Sequence, residues 1–322
     1  MGGDVKGKLI VITLGMALLM GFATRGEFYA LVVGVADYPG TVNDLNFPDD
    51  DARMVRDMLL SYRNWNDAHI TLSVDSDATK GAIQDALADI AAEINPGDVF
   101  VFFFSGHGDL GMDLAPMDEL DGHDEYIVAY DSGIRDDELS SWLEAVPAQT
   151  ILVFLDTCFS GGQLKNSILG RVKTINEGAS PLKGDGFVED LKRIVGERDL
   201  DDIAKSIVVV TACDDDELAL EAGSPYNHGI FTYYLLEAMD GHAADLGVDD
   251  GWISGEECYI YVEPRVRQTS ADLGSLQTPQ LLDHCPGELV FLSSSHEGTT
   301  VYLDPAGVGA CVGVMEADLK VD

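Results

Sequence analysis

The sequence predicts an α/β protein with a mostly parallel central sheet and helices on both of its faces. Two apolar runs favour this class, one within Asp98–Gly108 and one from Ile151 to Leu155. Each has the length of a fully buried parallel strand and ends abruptly in small or polar residues. A third observation is that such runs alternate with segments whose apolar residues recur at helical spacing. This alternation is typical of strand–helix–strand units, which cover a parallel sheet with helices.

The other elements follow from the same two patterns. Strands are predicted at Tyr29–Val35, Ile70–Val74, Ser206–Cys213 and Glu288–Ser293, and helices at Asp49–Tyr62, Gly81–Ile94, Asp136–Val146, Ile230–Met239 and Ser254–Val266. The segment Asp250–Glu257 matches the later half of an EF-hand loop, but Leu246 and Val248 stand where carboxylates are needed. It is therefore predicted to be a turn that opens the helix beginning at Ser254.

A histidine and a cysteine follow the two most apolar strands. His107 stands between Gly106 and Gly108, just past the first strand, and Cys158 stands just past the second. Ligands bind at the carboxyl edge of such sheets, so we expect both side chains there, accessible to substrate. Imidazole beside a thiol favours the thiolate and later protonates a leaving amine. Taken singly, His107 could be a loop histidine with satisfied hydrogen bonds, and Cys158 could be a small core residue. Taken together, the two residues favour thiol catalysis.

The motifs around these two residues resemble those of a known family. F-F-S-G-H-G followed by L-D-T-C-F-S-G-G is similar to the caspase-like cysteine peptidases, most closely to the metacaspase branch. Further matching segments are A-L-V-V-G-V-A-D-Y, D-D-D-A-R, D-E-Y-I-V-A-Y-D, I-R-D-D-E-L, G-I-F-T-Y-Y-L-L-E-A and Q-T-P-Q-L. The resemblance covers residues 28–292. It implies a caspase-like fold and a cysteine endopeptidase whose dyad is His107 and Cys158, with backbone N–H groups of Gly108 and Cys158 as the oxyanion hole.

The same resemblance implies a preference for basic substrates. Asp51, Ser105 and Asp156 match metacaspase positions that line the pocket for the side chain before the scissile bond (P1), where carboxylates accept Arg or Lys. Polypeptides with a basic P1 residue are thus the expected partners. Three alternatives stay open: Asp156 caps a turn, the protein is a legumain-like or other caspase-fold peptidase with a different P1 preference, or it is a non-catalytic module that binds peptides.

An acidic segment, Asp109–Ser132, lies between the histidine and the cysteine strand. Clustered carboxylates repel one another unless they are solvated or neutralised by a cation. The metacaspase resemblance implies that Asp124, Asp136 and Asp137 bind calcium as an activator, while the chemistry itself needs no cofactor. Metacaspases carry a further Asp seven residues after the nucleophile, where this chain has Lys165. A lysine at that position weakens a divalent site.

Composition limits the partners. The net charge is −38 and the pI is about 4.1. Phosphate would be repelled by such a surface, so nucleic acid is not an expected partner, whereas basic polypeptides would be attracted. An alternative explanation of the same composition is that the acidic surface serves to keep the protein soluble.

The amino terminus resembles an export signal. Lys6 and Lys8 precede an apolar run from Leu9 to Ala23, and Gly21-Phe22-Ala23 has the small residues of a signal-peptidase site. We expect an exported protein, secreted or anchored at the outer face of the membrane through this segment. Setting Cys158 aside, the other four cysteines could form disulfides in such a compartment.

The predicted organisation has three parts. Residues 1–23 are the signal or anchor, residues 28–292 form the peptidase domain, and residues 293–322 form a short tail. Within the domain, residues 163–205 form an irregular linker that holds 8 of the 19 basic residues. A peptidase specific for basic residues would be expected to cut itself in this linker.

Overall fold

The structure is a computed structural model that describes residues 26–112, 123–158, 205–214, 217–240, 243–245 and 251–293, together with the backbone of 170–172. Its strands are β1 (Phe28–Gly34), β2 (Ile70–Val74), β3 (Val99–Ser105), β4 (Gly108–Leu110), β5 (Glu125–Val128), β6 (Gly133–Arg135), β7 (Thr150–Asp156), β8 (Gly170–Val172), β9 (Ser206–Thr211), β10 (Leu220–Ala222), β11 (His228–Gly229), β12 (Trp252–Ser254), β13 (Gln280–His284) and β14 (Val290–Ser293). Its α-helices are α1 (Pro48–Leu60), α2 (Lys80–Glu93), α3 (Asp136–Ala145), α4 (Ile230–Met239) and α5 (Gly255–Asp272).

The central sheet confirms the predicted fold class. Its six strands lie in the order β13-β9-β7-β3-β1-β2. All neighbouring pairs are parallel except β13 with β9, which is antiparallel. Strands β3 and β7 lie at the middle of the sheet and are buried along their whole length, which explains their continuous apolar runs.

Helices cover both faces of this sheet, as predicted. Along β3, alternate side chains enter two separate cores: Phe103 packs with α1, α4 and α5, and Phe102 packs with α2 and α3. This division follows from the pleat, which directs successive side chains to opposite faces. The two cores hold β3 and β7 from both sides and so fix the loops that follow their carboxyl ends.

Three small antiparallel sheets were not predicted: β4-β5-β6, β8-β10-β11 and β12-β14. Two of these sheets lie next to the candidate site. Strand β4 begins directly after His107, and β10 and β11 lead into α4. Their strands have 2 to 4 residues, too few for an alternating pattern to stand out. The predicted last strand, Glu288–Ser293, is β14 and pairs with β12 rather than with the central sheet.

The turn predicted before the last helix is confirmed. Ser254 accepts a bond from the N–H of Glu257, and the Glu257 carboxylate accepts from the N–H of Ser254, which forms a capping box. Helix α5 runs to Asp272, beyond the predicted end at Val266. Leu246 and Val248 lie outside the described residues.

Several sequence predictions fall outside the described residues: the apolar amino-terminal run, most of the 163–205 linker, Cys311 and the tail after Ser293. Within the described ranges no helix combines the length and apolar character that a bilayer span requires. Of the four cysteines considered for disulfides, Cys213, Cys258 and Cys285 form none with one another, and the fourth is Cys311. Lys205, at the end of the linker, donates to the carbonyls of Leu143 and Val146 and so caps the end of α3.

Candidate active site

His107 is held by the loop that follows β1. Its backbone N–H donates to Tyr38 Oη at 2.9 Å, and the two rings lie 4.9 Å apart between centroids. Its Nε2 lies 2.7 Å from the carbonyl oxygen of Asn43. A carbonyl oxygen can only accept, so Nε2 carries the hydrogen, and in the neutral ring Nδ1 carries the lone pair. This tautomer presents a basic nitrogen on the side of the ring opposite to Asn43.

Cys158 lies beside the histidine loop. In the parallel pair β3–β7, Ser105 stands opposite Asp156, so His107 and Cys158 each follow paired positions by two residues. A Cβ added to Gly108 would lie 2.2 Å from the carbonyl oxygen of Cys158. Only glycine permits this approach. The two loops are therefore in contact at one edge of the sheet, which is the arrangement that a Cys/His dyad requires.

The side chains of His107 and Cys158 are both buried. His107 is 4% exposed and Cys158 has no exposed surface. The sequence predicts a cysteine that is accessible to solvent, and in this respect the structure differs.

Tyr38 and Asn43 are site residues that the sequence analysis missed. Burial raises the pKa of Tyr38 above its usual value, so its hydroxyl stays protonated. That hydroxyl accepts from His107 and donates to the carbonyl of Val128 at 3.1 Å. Tyr38 is the last residue of the matching segment A-L-V-V-G-V-A-D-Y, so the family resemblance could have pointed to Tyr38 as a site residue. Asn43 acts through its main chain, which leaves no side-chain signal.

The three residues predicted to line the P1 pocket are fully buried and lie together. Ser105 Oγ donates to Asp51 Oδ2 at 2.7 Å. Asp156 stands opposite Ser105 in the register of β3 and β7. All three thus occupy the same edge of the sheet as His107 and Cys158, with Asp51 contributed by the first turn of α1.

Both carboxylates also contact the chain that leads into α4. Asp51 Oδ1 lies 2.8 Å from His228 Nδ1 and accepts from the N–H of Gly229 at 3.3 Å. Asp156 Oδ2 accepts from Thr232, at 3.1 Å from N and 2.6 Å from Oγ1. The negative charges thus lie at the positive end of α4. Oδ2 of Asp156 thus caps the first turn of a helix, α4, rather than the turn considered from the sequence. His228 and Thr232 were missed, although they stand beside and within the quoted segment G-I-F-T.

The sequence profile of the caspase domain matches residues 27–290, most of the chain. The chain belongs to the caspase-domain family. Its curated relatives include Metacaspase-4 of Arabidopsis thaliana, 32% identical over 140 residues, which are 41% of this chain and 33% of that protein. Metacaspase-2 of Arabidopsis thaliana is 29% identical over 240 residues, 69% of this chain and 54% of that protein. Metacaspase-1 of Schizosaccharomyces pombe is 29% identical over 175 residues, 51% of this chain and 41% of that protein.

This caspase-domain chain spans 33% to 54% of the length of these three relatives. Among solved structures, the crystal structure of protein GSU0716 from Geobacter sulfurreducens gives a TM-score of 0.53 at 21% identity, covering 88% of this chain and 96% of that one. This likeness supports the fold alone. The family match confirms the caspase-like fold that the motifs predict.

The caspase domain also contains the acidic cluster expected from the sequence. One ligand oxygen from each of Asp124, Asp136 and Asp137 lies within 4.8 Å of the other two. Carboxylate oxygens at this spacing fit a hard cation such as calcium, which takes 6–8 oxygen ligands. Three carboxylates supply only part of that number, so backbone carbonyls or water would complete the shell.

Arg135 already neutralises part of this cluster. Its Nη1 lies 3.5 Å from Asp124 Oδ2 and 3.4 Å from Asp137 Oδ2. Burial acts to lower the pKa of Arg135, but the surrounding carboxylates, Asp124 first, raise it above its usual value. Burial, followed by the charge of Asp124, raises the pKa of Tyr126 to about 12. A divalent cation would have to compete with the guanidinium, and Lys165 lies outside the described residues.

Proposed function

We propose that this caspase-domain protein is a cysteine endopeptidase that cleaves polypeptides after Arg or Lys. The observation that carries the proposal is the contact between Gly108 and the Cys158 carbonyl, because it holds the histidine and cysteine loops against each other. Membership of the caspase-domain family supports the same chemistry. Cys158 is the proposed nucleophile, and His107 the proposed base and acid.

The proposed reaction proceeds through a thioester. His107 Nδ1 takes the proton from Cys158 Sγ, and the sulfur attacks the carbonyl carbon of the substrate. Backbone N–H groups of Gly108 and Cys158 donate to the oxyanion. His107 returns the proton to the leaving amine, and water then hydrolyses the thioester. The bond from Nε2 to Asn43 keeps the basic nitrogen on Nδ1 throughout.

The proposed P1 preference depends on Asp51, Ser105 and Asp156. Two fully buried carboxylates at the site edge would attract a cationic guest in addition to the donors they already have, because a guanidinium or ammonium forms strong charge-assisted hydrogen bonds with a carboxylate. The net charge of −38 would attract basic polypeptides to this edge and disfavour nucleic acid.

A panel of fluorogenic peptides that differ only at P1 tests this function. We expect kcat/KM for Arg and Lys to exceed that for Asn and Asp by at least about 100-fold. Preference for Asn would indicate the legumain-like alternative. Absence of both turnover and labelling of Cys158 by an arginyl chloromethyl ketone would indicate the non-catalytic peptide-binding module.

We further propose that Asp124, Asp136 and Asp137 hold an activating calcium ion. Added calcium should raise Tm and the rate with the Arg reporter, and Asp137→Asn should weaken both responses because it removes one carboxylate from the cluster. Asp57→Asn removes an exposed acid on α1 and serves as the control. Equal responses in wild type and Asp137→Asn, or no response in either, would contradict a calcium site at this cluster.

Export is proposed from the amino-terminal sequence alone. Lys6, Lys8 and the apolar run Leu9–Ala23 direct secretion or a membrane tether at the outer face. Fractionation of cells that express the full chain should find it outside the cytoplasm. Recovery only from the cytoplasmic fraction would contradict this proposal.

A further inference from the structure

Glu221 is a buried carboxylate with an unusual set of partners. It lies on β10, is 1% exposed, and reaches a loop about half of the chain away in sequence. Both of its carboxylate oxygens lie 3.0 Å from the backbone N of Asn46, and Oε2 accepts from the N–H of Phe47 at 3.3 Å. The side-chain amide of Asn46 donates to Oε1. The charge of Glu221 is thus used to fix one short stretch of backbone.

That stretch is the end of the loop that holds His107, residues 36–47. The loop touches His107 at Tyr38 and at the carbonyl of Asn43, three residues before Asn46. The start of the loop is held separately, by Asp75 Oδ1, which accepts from the N–H groups of Ala36 and Asp37 at 2.9 and 3.0 Å. Bonds within the loop run from Leu45 N to Ala36 O, at 2.9 Å, and from Tyr38 N to Asp44 Oδ1, at 3.2 Å. Glu221 therefore anchors the loop just beyond the carbonyl that orients the imidazole.

We propose that Glu221 is a positioning residue for His107, acting through the loop 36–47. It fixes the Asn43 carbonyl against Nε2, and this contact keeps the hydrogen on Nε2 and the lone pair on Nδ1. The inference rests on the proposed function, in which Nδ1 exchanges a proton with Cys158. This role requires no contact of Glu221 with the substrate or with the sulfur.

The bonds from Asn46 and Phe47 to Glu221 require a carboxylate at this position. Each of the three donors points at a carboxylate, which only accepts. In Glu221→Gln one acceptor oxygen becomes an NH₂ group that meets N–H donors, so the loop must shift. A displacement of about 1 Å in a catalytic group can cost on the order of 100-fold in rate.

Kinetics of Glu221→Gln provide the first test. With the Arg reporter we expect kcat to fall about 10- to 100-fold while KM changes little, because the P1 pocket is intact. Asp98→Asn is the matched control: Asp98 is 5% exposed and also collects N–H bonds from two segments, Glu27 and Asn95, at the opposite end of β3. We expect Asp98→Asn to keep the kcat of the wild type.

A spectroscopic test does not depend on activity. Long-range ¹H–¹⁵N spectra of the imidazole rings, with the His107 signals assigned by His107→Asn, should show Nε2 protonated in the wild type. Glu221→Gln should shift those signals toward the other tautomer or toward a mixture, and Asp98→Asn should not. If the wild type fails to cleave the Arg reporter, the proposed function fails, and these spectra still decide the role of Glu221.

Asn46→Ala is a second variant that tests the proposal even if Glu221→Gln does not fold. Asn46 is exposed, so its truncation should leave the fold intact and shift kcat and the His107 spectrum in the same direction by a smaller amount. Wild-type kcat and wild-type His107 signals in the folded Glu221→Gln protein would overturn the proposal. If that variant does not fold, unchanged kcat and signals in Asn46→Ala would overturn it.

Discussion

Replacing Cys158 with alanine is expected to abolish hydrolysis of the Arg reporter, with a loss of at least about 1,000-fold in kcat. In the proposed mechanism the sulfur supplies the attacking electron pair, and the loop of Cys158 lies against the loop that carries His107. His107→Ala should cause a loss of similar size, because the proposed mechanism requires both groups. Initial rates on protein shown to be folded by circular dichroism provide the measurement.

Cys213 provides a matched control for this prediction. It lies two residues past Thr211, which pairs with Leu155 across β7 and β9, so it occupies the same sheet edge one strand away. It is buried, and its sulfur donates to the carbonyl of Thr157 at 3.6 Å. Its sulfur also donates to the carbonyl of Glu217, so it packs as a structural thiol between two stretches of main chain, and Cys213→Ala should keep most of the activity. Activity that survives in Cys158→Ala but disappears in Cys213→Ala would transfer the nucleophile role to Cys213.

The spatial relation of His107 to Cys158 could be predicted because it depends on regular structure. Strands β3 and β7 are buried on both faces, and such strands carry long apolar runs that end sharply. Once two parallel strands are recognised, their carboxyl ends must share an edge. Family motifs then identify the two strands as neighbours, which the register confirms.

The contacts that hold His107 could not be predicted in the same way. The carbonyl of Asn43 belongs to the backbone, and every residue has one. Glu221 reaches Asn46 across 175 positions, and no periodicity in the chain relates the two. The helix boundary at Pro48, predicted one residue later at Asp49, differs for a local reason, since proline is favoured in the first turn of a helix.

Asp156→Asn is expected to separate the pocket role of this residue from its capping role. The amide oxygen of Asn can still accept from Thr232, so the fold and the start of α4 should be kept. The negative charge is lost. If Asp156 pairs with a basic P1 side chain, kcat/KM for the Arg reporter should fall about 100-fold. A reporter with citrulline at P1, which has nearly the shape of arginine but no charge, should be affected little.

The ratio of kcat/KM for the Arg reporter to kcat/KM for the citrulline reporter decides between a pocket role and a capping role for Asp156. A residue that only caps α4 can change activity through geometry, and geometry affects Arg and citrulline reporters alike. A residue that pairs with the guanidinium changes the ratio, because only one of the two guests carries a charge. Asp98→Asn removes a buried carboxylate at the far end of β3 and should leave the ratio unchanged. An equal loss with both reporters in Asp156→Asn would leave Asp156 as a structural residue and require the P1 preference to come from Asp51 or from another part of the pocket.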